Sequence, residues 1–291
     1  EGDFIVIPKR IPPNPKPIVE IDLKEELGKI PENERKHIKI IDNKYLKSKY
    51  SKHKIPIKIK VDDKLMRLIG YYTANGWLQE TKRNSWNVEF EIDASDEKTI
   101  RDIQKIVQAI FKIKINIKKK KDSNSCRISI DDKIVFLIFK YILRVDTSAE
   151  TKKIPEIVFN VSPNLQKEFI KAFVRGDYGV TVSKMLMSDL LYLFTLNGVI
   201  ASFSKRKKNG VVKFPDGHKS YVNRHFFELK SPKPIKILSN VLDNSGLYSR
   251  VPIKIVEGLD IDLSKSGYSR VAPSAYKLIF SKNRKMMYER L

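Results

Sequence analysis

Two stretches of this chain place small residues four apart and follow them at once with a polar residue. They are Gly70 and Ala74 before Asn75 in LIGYYTANG, and Ala172 and Gly176 before Asp177 in IKAFVRGDYG. Residues four apart share one helix face, and small ones there let a second backbone approach closely. A helix with such a stripe calls for a partner, and the chain supplies two that match. A tight pair would bring Asn75 and Asp177 together, which constrains the fold more than any composition figure does.

The surroundings of the two stretches repeat in order. VDDKLMRLIGYYTANG offers Asp62 or Asp63 as N-cap, Leu65, Leu68, Ile69 and Tyr72 at helical spacing, and Gly76 as a stop. LQETKRNSWNVEFEID alternates on both sides of a polar turn and predicts a hairpin. SDEKTIRDIQKIVQAIF, with Ser95 as cap, predicts a second helix. KIKINIKKKK and SCRISI predict a second hairpin, and DDKIVFLIFKYIL a closing helix. Ser162 and Pro163 then open another helix, followed by VTVSK, the helical MLMSDLLYLFTLNG, the strands VIASFSKRKK and RHFFELK, and a helix near PIKILSNVLDN. The fold class expected is α+β, a pseudo-symmetric duplication of αββαββα units with antiparallel sheets packed through the small-residue helices. The boundaries expected are 61–161 for the first repeat and 162–291 for the second with a C-terminal extension. Residues 1–60, rich in proline and lysine, form a flanking arm or subdomain.

Charge narrows the partner. Fifty-seven Lys and Arg against 34 Asp and Glu give a formal net charge of +23, which points to a polyanion, with nucleic acid first. No run of 18 apolar residues suggests a membrane span. Basic residues gather where strands and turns are expected: Lys82, Arg83 and Trp86 in TKRNSWN, Lys118, Lys120 and Arg127 in the second hairpin, and Lys205, Arg206, Lys207 and Arg224 on the later strands. On alternating strands one face of such runs reaches phosphates and base edges, so these are the candidate DNA contacts. The single Cys126 excludes a disulfide framework, and the four histidines form no zinc-binding spacing. The chain begins without methionine or a signal-type apolar region, which reads as an interior piece of a longer intracellular product.

At the helix ends two readings stay open. Paired carboxylates would suit Mg2+, which takes a few carboxylate oxygens plus water and phosphate. Alternatively, Asp177 is a solvated helix end and Asn75 a C-cap.

LIGYYTANG resembles the LAGLIDADG motif at its leucine, first glycine, alanine and final glycine, and IKAFVRGDYG is similar to a degenerate second copy with Asp177 in the acidic position. KKIPEIVFNVSPNLQKEFIKAF is similar to the segment preceding the second motif in two-motif enzymes of that family, and EGDFIVIPKR resembles the strand by which an intein's splicing domain leads into its endonuclease. The resemblance implies an intein-encoded LAGLIDADG homing endonuclease. Two halves would each lay a saddle-shaped sheet in the major groove of a long asymmetric site on double-stranded DNA. A monomer would cleave both strands with Mg2+, for which Mn2+ substitutes. It carries Asp177 over as a metal ligand and sets Asn75 in the partner position, where a neutral amide departs from the pattern and impairs cleavage. Lys153 and Lys254 are the candidates for the lysine that such enzymes place near their metals. The alternative implied is a catalytically inactive DNA-binding regulator or an RNA-binding maturase.

Overall fold

The computed structural model describes residues 4–8, 14–81, 85–119, 124–197, 199–213, 219–234 and 248–252. Two units divide the chain, one of residues 13–186 and 206–227 and the other of 1–12, 187–205 and 228–291. In the second unit, β1 (Phe4–Pro8) pairs antiparallel with the last described strand, Tyr248–Pro252.

In the first unit the lysine-rich start folds into short elements: β2 (Glu20–Asp22), α1 (Leu23–Glu26), α2 (Glu32–Arg35), β3 (Ile38–Ile41), β4 (Tyr45–Ser48), β5 (Ile55–Pro56) and β6 (Lys58–Lys60). β2 pairs with β6, and β3, β4 and β5 form a three-stranded antiparallel sheet. Asp42 and Asn43 turn the β3–β4 hairpin with positive φ (52° and 50°), a conformation these two residue types tolerate. Leu46, Ser48 and Ile55 face inward.

Asp62 starts α3 (Asp63–Asn75): its carboxylate accepts from the N–H groups of Lys64 and Leu65, two of the donors a helix start leaves unpaired. At the far end Gly76 turns the chain straight into β7 (Gly76–Thr81), and a Cβ there would lie 2.4 Å from the Tyr72 ring. β8 (Ser85–Asp93), α4 (Glu97–Phe111), β9 (Asn116–Lys119), β10 (Ser125–Asp131) and α5 (Lys133–Leu137) follow, and α5 runs on into a π-helical turn, Ile138–Ile142. This is the expected order of helix, two strands, helix, two strands, helix. The sheet is antiparallel in the order β7-β8-β10-β9. Val88, Phe90, Ile92, Cys126, Ile128 and Ile130 line its buried face. Register then sets Trp77, Gln79, Glu89, Arg127 and Lys118 on the other. One detail differs at α4, where Asp96 rather than Ser95 is the cap, its carboxylate accepting from Thr99 N–H and hydroxyl.

α6 (Pro163–Asp177) opens the second copy. Tyr178 (φ 50°) and Gly179 (φ 75°) turn the chain, and only β11 (Val180–Thr181) lies between α6 and α7 (Lys184–Leu196). The few residues between the two helices leave no room for a hairpin. β12 (Val199–Lys213) and β13 (Lys219–Pro234) form a three-stranded sheet with β11 in the order β11-β13-β12, and Tyr248–Pro252 is β14. Most of the helix expected near PIKILSNVLDN lies outside the described residues.

Candidate functional site

α3 and α6 touch along their small residues. A Cβ on Gly70 would lie 2.6 Å from the Phe169 carbonyl oxygen and 2.8 Å from the Ala172 Cβ, and one on Gly176 would lie 2.7 Å from the Ala74 Cβ. Gly70 meets Ala172 and Ala74 meets Gly176, so the helices run in the same direction and end together. At that end Asn75 Nδ2 donates to the Gly176 carbonyl oxygen at 2.7 Å. The amide thus satisfies one of the last carbonyls of α6, while the Tyr178 N–H donates to the Val174 carbonyl.

The last carbonyls of α3 are met by Lys152. This buried side chain donates from Nζ to the carbonyl oxygens of Tyr72 (3.3 Å) and Ala74 (3.1 Å), where a cation also suits the negative end of the helix dipole. Ser183 holds Lys152 in turn, donating its hydroxyl to the Lys152 carbonyl at 2.5 Å. Burial brings the Lys152 ammonium down to about 8, an effect Asp177 opposes. Burial pushes the Asp177 carboxyl up to about 7 against the pull of Lys152. Among the described residues the Asp177 carboxylate accepts no hydrogen bond.

Lys153, one residue away, is exposed. The pattern that distinguishes the two is visible in TKKIP: in extended backbone Lys152 shares a side with Ile154, and Ile154 is buried. Lys254, Lys82, Arg83 and Lys120 lie outside the described residues. Arg175, at a position where the motif is degenerate, donates from Nη2 to Asp96 at 2.7 Å and from Nε to Thr99 Oγ1 at 2.8 Å, tying α6 to the cap of α4.

On the sheet, Lys118 pairs with Arg127 in register and both stand on the outer face, where the Arg127 guanidinium lies 5.5 Å from the Trp77 ring centre. That face also carries Glu89, Glu91, Asp93 and Asp131, so it is mixed in sign. Trp86 is placed otherwise. It is 8% exposed on the inner face, donates to Glu80 at 3.0 Å and lies beneath the Lys133 ammonium at 4.0 Å, so its ring is committed to packing and has no face free for a base. Lys205, Arg206 and Lys207 are exposed on β12, and Arg224 falls on β13.

Asp177 and the amide oxygen of Asn75 are oxygen donors of the kind Mg2+ accepts. Among the described residues no group of three acidic, histidine or cysteine side chains gathers that could enclose a metal. The donor set fits an ion whose shell is completed by water and phosphate, and does not fit a closed all-protein site.

Residues 62–147 match the family model of the LAGLIDADG-like domain. An uncharacterized protein of Methanocaldococcus jannaschii is 31% identical over 185 residues, covering 57% of this chain and 20% of that protein. A DNA polymerase of Thermococcus kodakarensis is 28% identical over 154 residues, covering 49% of this chain and 9% of the polymerase. This chain therefore spans a small part of the relatives it matches. Among solved structures, the chain is similar to I-DmoI in complex with DNA and Mn, at 13% identity and a TM-score of 0.40 over 58% of this chain and 90% of that one. It is also similar to the homing endonuclease I-WcaI bound to its DNA recognition sequence, at 14% identity and a TM-score of 0.34 over 68% and 85%. No helix among the described residues is long and apolar enough to cross a membrane.

Proposed function

We propose that this chain is a homing endonuclease domain that, as a monomer, binds a long asymmetric site on double-stranded DNA and hydrolyses phosphodiesters at the paired ends of α3 and α6. The observation that carries the reading is the helix register, which sets Asn75, Asp177 and Lys152 at one point at the end of the LAGLIDADG-like helix pair. Asp177 would hold a divalent cation, Mg2+ or Mn2+, with the Asn75 amide oxygen as a weaker second donor. Such an ion stabilises the attacking and leaving oxygens of a phosphodiester displacement. Lys152 places a positive charge beside that point without competing for the ion, since its N–H bonds are directed to carbonyl oxygens. Lys118, Arg127, Lys205, Arg206, Lys207 and Arg224 supply contacts to phosphates and guanine edges, and the outer-face carboxylates offer acceptors for cytosine amino groups. A match confined to a small fraction of a DNA polymerase fits a segment inserted in a host protein, which supports an intein origin and an intracellular place of action.

Asn75 impairs cleavage in this reading because an amide lacks the charge that holds the ion. Asn75→Asp should raise metal-dependent cleavage of a library-selected site by at least 10- to 100-fold, the range that even outer-shell partners of a metal contribute. Asp177→Ala should abolish it in both backgrounds. The assay compares Mg2+, Mn2+ and chelator. Specific binding without cleavage by a folded Asn75→Asp protein would move the assignment to the DNA-binding regulator, or to the RNA-binding maturase if RNA is preferred. Asn75→Asp also costs the bond to Gly176, about 1–3 kcal/mol of stability, so the variant's melting curve accompanies the assay.

A further inference from the structure

Beyond the sheet and the helix ends, a second charged surface lies in the small sheet of residues 38–56. Residues 36–54 hold seven lysines against one carboxylate, Asp42. Register sets Lys39 directly opposite Lys47, on the face that also carries Ile41 and Tyr45. Like charges directly opposite in a ladder repel, so this pairing costs stability in the free protein. Neither lysine has a carboxylate partner among the described residues, nor does Lys36, Lys44, Lys52 or Lys54. The positive field is felt locally: burial first, then Lys49, Lys133 and Lys36, lower the affinity of His37 for its proton.

The surface is also held in place. Lys133, at the start of α5, is 3% exposed, bonds Glu34 at 2.6 Å and lies over both the Tyr50 ring (4.5 Å) and the Trp86 ring (4.0 Å). Asp132 accepts from the Ser51 hydroxyl, with His53 Nδ1 at 3.3 Å. The small sheet is thereby clasped to the LAGLIDADG-like domain through β8 and α5. A lysine face without partners on a fixed support is a surface made for phosphates, while a solvated lysine face would need neither the register nor the clasp.

We infer that the Lys39–Lys47 face of the β3-β4-β5 sheet is a second contact for the phosphate backbone of duplex DNA, separate from the outer face of the β7-β8-β10-β9 sheet. The inference rests on the DNA-binding reading above and extends it. Contact with phosphate alone adds affinity and carries no sequence information.

Fluorescence anisotropy with duplexes of several sequences, from about 50 to 400 mM salt, separates the two. Lys39→Ala/Lys47→Ala should lower the salt slope by about two, one per phosphate contact, equally on every duplex. Lys118→Ala/Arg127→Ala, on the other surface, is the comparison. Lys39→Glu adds a sharper test: it replaces a repulsive pair with an attractive one, so its melting temperature should hold or rise while DNA affinity falls. A slope unchanged by Lys39→Ala/Lys47→Ala, in a protein whose binding does respond to Lys118→Ala/Arg127→Ala, overturns this inference and leaves the DNA-binding reading standing. No binding to any duplex by the unaltered protein overturns both. A loss confined to RNA or to anionic vesicles overturns the choice of duplex DNA as occupant.

Discussion

Asp177 keeps its proton to about pH 7 in the folded chain, against an ordinary value of 3.8, because its carboxyl is largely removed from water and only Lys152 offsets the cost. Between those values the folded state binds more protons than the unfolded one, so this group's contribution makes stability fall as pH rises from about 4 to about 7 and hold level above. Asp177→Asn removes that dependence. Subtracting the two proteins' melting temperatures, measured between pH 4 and 9, should show the variant gaining steadily across that window and then levelling; a flat difference would mean the carboxyl is not desolvated. A cation at Asp177 must displace this proton, so Mg2+ affinity should rise between pH 6 and 8. Lys152 works in the opposite direction: its value falls from 10.5 to about 8, so its contribution to stability increases as pH climbs through that interval. At this scale the sequence was legible where backbone geometry follows from residue type. Asp62 as a cap and Gly76 as a stop could be read directly. Choosing between Lys152 and Lys153 required knowing that the segment is extended, and choosing Asp96 over Ser95 required knowing that the Ser95 hydroxyl turns back to Asp93 while the Asp96 carboxylate faces Thr99.

Among the elements, the α3–α6 pair was the most readable, since a stripe of small residues has few uses other than close approach. The two glycines are nonetheless unequal. The obstacle at Gly70 includes a backbone carbonyl oxygen that cannot move alone, whereas at Gly176 it is the Ala74 methyl. Gly70→Ala should therefore lower stability by about 1–3 kcal/mol in denaturant unfolding, even though alanine is the better helix former. Gly176→Ala should be relieved by adding Ala74→Gly, with a double-mutant cycle giving the coupling. Period-two alternation likewise exposed β8 and β10. The π-helical turn after α5 and the left-handed turn that ends α6 left no such mark. The first depends on how Ile138–Ile142 is packed, and the second falls on Tyr178, a residue whose type does not announce that conformation.

For the molecule as a whole, net charge announced a polyanion partner, but it could not say which lysines face one. Lys133 looked like any other surface lysine until the fold closed over it. α3 is buried on nearly every side, partly by α6, which lies outside residues 62–147. Those residues expressed alone should lack a cooperative thermal transition by circular dichroism, because they lose both α6 and the Glu34 and Tyr50 partners of Lys133. The first hairpin offers a means of following both surfaces. Its two tryptophans, the only ones in the chain, lie on opposite faces of the β7–β8 pair, Trp77 beside Arg127 and Trp86 beneath Lys133. A Trp86→Phe protein would emit from the outer face alone and report nucleic acid arriving there, while a Trp77→Phe protein would report only the seating of residues 14–60. The protein thus carries two optical channels, separable by one substitution each.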